Sequence, residues 1–132
     1  MKRAMWITSA ALLVCVVNVL GQTTQHAGLQ KQFLYRVRPV RLEMLKSPTE
    51  KENTIVEEHF TYLKELTAKG VLILAGRTLN ADESSFGIVI FHADSEEAAR
   101  RIMEGDPGVR KGVFRAEVFP FRVALMESTK GQ

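Results

Sequence analysis

Between residues 33 and 125 the hydrophobic pattern changes from period two to period 3.6 twice, in an order that few architectures accommodate. Residues 33–44 alternate and are rich in strand formers. Phe33, Tyr35 and Val37 point one way, and Leu34, Arg36 and Arg38 the other. Ser47-Pro48-Thr49-Glu50 reads as a helix opening, with Ser47 as cap, Pro48 in the first turn and Glu50 closing a capping box. The helix is expected to reach Lys69, where Gly70 can take the left-handed conformation that ends it. Its apolar stripe is Ile55, Val56, Phe60, Leu63 and Leu66, and His59 falls inside that stripe.

Residues 71–79 and 86–93 form two further strand patterns around a polar loop, which together read as a hairpin. Asp94 and Glu97 offer a second capping box, for a helix that turns Ala98, Ala99, Ile102 and Met103 inward. Asp106-Pro107-Gly108 is expected to be a turn. A last strand over 113–125 carries Pro120, which suits an edge position or a bulge. The order βαββαβ predicts an α+β, ferredoxin-like fold: a four-stranded antiparallel sheet with two helices on one face. The other face carries enough apolar residues that leaving it in water is costly, at roughly 25 cal/mol per Å2. Two copies packed through these faces would remove that cost, so a homodimer is expected.

Residues 1–21 read as a signal peptide: Lys2 and Arg3, an apolar run from Ala4 to Leu20, then Val19 and Gly21 before a cleavage point at Gln22. An uncleaved anchor is the alternative, since the run is near the lower limit of a membrane span. With cleavage the protein is periplasmic or secreted, has no stable membrane association, and loses Cys15, its single cysteine, and with it any disulfide or thiolate metal site. The plan is then a flexible leader at 22–32, a domain at 33–126 and a tail at 127–132. The chain has 18 basic and 15 acidic side chains; without Lys2 and Arg3 the balance is 16 to 15, a charge of +1. So even a balance argues against nucleic acid as a partner.

His59 is a candidate general base: burial would disfavour its charged form and a neighbouring carboxylate would favour it. It can equally be a core histidine whose ring satisfies backbone partners. Asp106 is the candidate orienting carboxylate, or simply a turn-forming aspartate before proline. The two meet only if the segment after Gly105 folds back over the first helix. Arg36 and Arg38, entering the dimer interior, would hold an acidic ligand or pair with Glu117; Arg77 belongs to the same anion-binding reading. His26 and His92 give no zinc spacing, and no phosphate loop or Gly-x-Ser-x-Gly elbow occurs, so no cofactor or metal is expected.

Three stretches in this order, His59-Phe60-Thr61-Tyr62-Leu63, Leu74-Ala75-Gly76 and Asp106-Pro107, resemble the YCII-related family of dimeric α+β barrel proteins over residues 33–121. The resemblance implies that His59 and Asp106 are the active pair and that Gly76 lies in the substrate pocket. It also implies cofactor-free elimination or isomerisation of a small, often aromatic-derived organic acid. The sequence departs from the family pattern at Arg77, where proline usually follows Ala-Gly, and at Gly108, where an aromatic residue usually follows Asp-Pro; both changes alter the pocket lining. Two other readings are a non-catalytic envelope module that binds a small ligand or a protein, and, ranked lower, a cofactor-free monooxygenase.

Overall fold

In a computed structural model, residues 31–126 are described. They run β1 (Gln32–Pro39), a 3-10 turn (Leu42–Leu45), α1 (Glu50–Ala68), β2 (Leu72–Arg77), β3 (Gly87–His92), α2 (Glu96–Gly105), α3 (Pro107–Arg110) and β4 (Phe114–Phe121). The expected leader cleavage, Cys15 and the tail at 127–132 lie outside the described residues. Gln32, expected in the leader, begins β1 instead and pairs with His92 and Phe121. Among the described residues no helix is long and apolar enough to cross a membrane.

The sheet order is β2-β3-β1-β4, with every neighbouring pair antiparallel, which is the ferredoxin-like arrangement. β1 is central because its inward residues are apolar at every second position. Phe33, Tyr35 and Val37 are buried under the helices beside Val89 and Phe91 of β3. Tyr35 and Phe91 meet edge to face with ring centroids 5.6 Å apart, a contact worth ~0.5–1.5 kcal/mol beyond its buried area. Leu63 and Leu66 of α1, with Ala99 and Met103 of α2, close this core from above. Ile55 joins Met44 and Val113 in a smaller cluster at the helix start.

Several boundaries differ from the sequence expectation, each for a local reason. β1 stops at Pro39 and the chain turns into the 3-10 segment, so the strand does not reach Met44. α1 is capped two residues later than expected. Thr49 accepts from the Glu52 backbone N–H and Glu52 accepts from that of Thr49, a complete capping box that also leaves Glu52 facing Arg41. Ser95, not Asp94, caps α2 by accepting from the Ala98 N–H. Phe60 is 54% exposed, and His59 takes its place on the inward stripe with Ile55, Leu63 and Leu66. Asp106-Pro107-Gly108 is not a simple turn but the start of α3, with Pro107 at a first-turn position where a missing N–H costs nothing. β4 ends at Phe121, short of Leu125, and is an edge strand, as Pro120 requires.

Candidate active site

The site is assembled from three places in the chain. β1 carries Tyr35 on its covered side, α1 carries His59 on its inward stripe, and the junction of α2 and α3 carries Asp106. The junction folds back against α1, which satisfies the condition for His59 and Asp106 to meet. Tyr62 fastens it there: its hydroxyl donates to the Ile102 carbonyl oxygen near the end of α2 at 2.8 Å.

Asp106 is fully buried, so its carboxylate needs partners to offset the loss of water. It has three. Gly108 N–H donates to Oδ1 at 2.8 Å, which is also the cap of α3. The Tyr35 hydroxyl donates to Oδ2 at 2.8 Å. His59 Nδ1 lies 2.8 Å from Oδ1 and 2.7 Å from Oδ2. Burial first, then the charge of Asp106 and the bond to it, push the Tyr35 phenol far above its ordinary range, so Tyr35 stays a donor. With two fixed donors already on the carboxylate, the network assigns the imidazole proton to Nδ1, which makes it the third donor.

The His59 ring is held edge-on by Phe60 and Phe114, with centroids 5.4 and 5.3 Å away. Its Nδ1 is committed to Asp106, and the ring lines a cavity of about 440 Å3, leaving Nε2 as the nitrogen available there. The cavity lies between α1, the 3-10 turn and the β2–β3 edge. Val37, Met44, Phe86 and Phe114 give it an apolar wall, and Asn53, Arg77 and Ser85 join His59 as its polar groups. An apolar cleft with a few convergent polar groups is what small-molecule sites generally look like.

Of the residues singled out in the sequence, His59, Arg77 and Gly76 therefore share one cavity, with Asp106 directly behind His59. Gly76 is the partner of Ile88, itself the partner of Arg36, so a Cβ there would point to the open face of the sheet, where it meets nothing within 4 Å; only the backbone of Gly76 borders the cavity. Arg36 and Arg38 are not part of this group. Their side chains leave the opposite face of the sheet, where Arg36 pairs with Glu117 at 2.5 Å and both arginines flank a separate hollow with Arg115. The sheet separates them from His59. The structural pairing with Glu117 is the alternative that the geometry realises for Arg36. Among the described residues no three His, Cys, Asp or Glu side chains gather as a metal would require.

Two residues went unnoticed in the sequence, Tyr35 and Phe114. Tyr35 was read only as an inward strand residue, although a buried phenol oxygen calls for a partner. Gly108 and Phe114 are linked: a Cβ on Gly108 would lie 2.4 Å from Cδ2 of Phe114. The Phe114 ring fills the space beside Gly108 and supplies an aromatic wall against His59 from β4.

The fold is similar to that of 5-chloro-2-hydroxyhydroquinone dehydrochlorinase from Burkholderia phenoliruptrix AC1100, solved in complex with 2,5-dihydroxybenzoquinone. The TM-score is 0.52 at 22% sequence identity, covering 68% of this chain and 93% of that one. Comparison with curated proteins finds no match. Residues 33–122 match the YCII-related domain, and on that match, which spans most of the chain, the protein belongs to the YCII-related domain family.

Proposed function

We propose that this protein is a cofactor-independent lyase or isomerase acting on a small organic acid, with His59 and Asp106 as its catalytic pair. The single observation that carries the reading is that a fully buried Asp106 binds Nδ1 of His59 while the same ring lines a cavity of about 440 Å3. Nε2 takes a proton from a carbon beside the acid group, and Asp106 holds the imidazolium that results. The electron pair left on carbon either expels a leaving group, which completes an elimination, or is reprotonated at another carbon, which completes an isomerisation. Arg77 holds the acid group at the cavity wall, next to the backbone of Gly76. The structural neighbour is by name a dehydrochlorinase, which agrees with an elimination.

The working unit is a homodimer. Leu74, Phe119 and Phe121 lie on the sheet face away from the helices and are each more than a third exposed, an apolar surface that a second copy would cover. The leader read at 1–21 exports the protein to the periplasm or beyond, and no nucleic acid, cofactor or metal takes part.

The test is a panel of small carboxylic acids offered to the wild type and to His59→Asn, with product followed by NMR. Turnover by the wild type alone, with the dimer retained in both, supports the reading. Equal turnover in both removes His59 from the chemistry, and no turnover of any acid favours a ligand-binding module.

A further inference from the structure

We propose that Tyr35 is a positioning residue of this site: its hydroxyl shares the Asp106 oxygen that binds His59 Nδ1 and so sets how tightly His59 holds a proton. The inference rests on the reading of His59 as the base, and it concerns a residue that neither touches the cavity nor reaches a substrate.

Tyr35 is fully buried and its hydroxyl lies 2.8 Å from Oδ2 of Asp106, the oxygen that is also 2.7 Å from His59 Nδ1. One oxygen therefore serves two donors from two elements. A hydrogen bond to an ionised group draws off negative charge, and the phenol competes with the imidazole for the same lone pairs. If the phenol is removed, the carboxylate has only Gly108 N–H and the imidazole left to stabilise its charge. It then binds a protonated His59 more strongly, and the ring gives its proton up less readily.

The other charged groups are the same with or without the phenol: Arg77 of β2 lines the cavity that His59 lines. From α1, Tyr62 faces Asp106 but spends its own hydroxyl on the Ile102 carbonyl. Glu58 of α1 and Lys111 after α3 neutralise each other on the exposed side at 2.5 Å. β4 presents only the Phe114 ring to His59.

The test is the wild type against Tyr35→Phe, both labelled with 15N-histidine, with the His59 ring followed over pH by NMR and assigned through His59→Asn. Phenylalanine keeps the ring that packs on Phe91, so the core stays filled. The titration midpoint of His59 is expected to rise by about one unit, the size of shift that losing one charge-assisted bond produces. A role in packing alone would leave the midpoint where it was, and that result overturns the proposal. Should Tyr35→Phe fail to fold, replacing tyrosine throughout with 3-fluorotyrosine makes the phenol a stronger donor, and the midpoint is expected to fall. The chain has only two tyrosines, and a Tyr62→Phe background isolates Tyr35. No movement there overturns the proposal equally. Neither measurement needs a substrate, so a protein without turnover but with a moving midpoint refutes the enzyme and leaves Tyr35 its role.

Discussion

Asp106→Asn changes one heavy atom in a fully buried polar cluster, and its effect can be worked out from the bonds present. Asparagine keeps the volume but converts one of two acceptor oxygens into a donor NH2 group. If its carbonyl keeps the Gly108 N–H, the new NH2 faces Tyr35 and His59, where the carboxylate had accepted bonds at 2.8 and 2.7 Å. Imidazole can meet a donor only by offering Nδ1 as an acceptor, so its proton moves to Nε2. The nitrogen available to the cavity then carries a hydrogen and is no longer a base. Mispairing of this kind in a histidine-carboxylate pair lowers turnover by about three to four orders of magnitude. At least one charge-assisted bond is lost, at about 1.5–3 kcal/mol, and relief from burying a charge offsets part of it. A net loss near 1–2 kcal/mol would lower the melting temperature of a domain this size by roughly 4–16 °C. Long-range 15N–1H correlation spectra of the His59 ring report the tautomer directly, and urea denaturation reports the stability. A ring that keeps its proton on Nδ1 in the variant would refute the reasoning, whatever happens to turnover.

Gly108→Ala places a Cβ 2.4 Å from the Phe114 ring, so Phe114 must move from beside His59; a stability loss of about 1–3 kcal/mol by denaturation is expected, and an unchanged melting temperature contradicts it. Glu52 accepts from Arg41 Nε at 2.8 Å and from the Thr49 N–H, and the Arg41 bond above all holds its carboxyl at about 2 against an ordinary 4.5. A carboxyl depressed in the folded state lends stability above its unfolded range and loses it as pH falls. The urea midpoint of the wild type should therefore exceed that of Glu52→Gln near neutrality, with the gap closing between pH 4.5 and about 2; a gap independent of pH removes the ion pair as its cause. Leu74→Glu puts a charge on the open sheet face at a side chain already 46% exposed, so the fold should tolerate it while sedimentation shows single copies; a variant as dimeric as the wild type moves the interface elsewhere.

The fold was legible because period-two and period-3.6 segments follow one another in an order with few solutions, and Pro120 marked the edge strand correctly. The caps were not. Ser47 and Thr49, or Asp94 and Ser95, are equivalent by type, and the choice fell to the partner each could reach: Glu52 with Arg41 in one case, the Ala98 N–H in the other. His59 and Asp106 were visible as residues, but their contact depends on α3, a four-residue helix that proline and aspartate permit without announcing. Arg36 and Arg38 were placed on the correct face of β1, the one away from the helices, and that placement already puts the sheet between them and His59 of α1. Tyr35 was hidden by its own apolar ring, since alternation reads a tyrosine as core and says nothing of where the hydroxyl goes.

Proton transfer from carbon to His59 can be observed without knowing the final product. Small carboxylic acids incubated in D2O with the protein are expected to acquire deuterium on the carbon beside the acid group with the wild type and not with His59→Asn. Exchange at equal rates in the two proteins, or none above buffer with any acid, would contradict the assignment of His59 as the base.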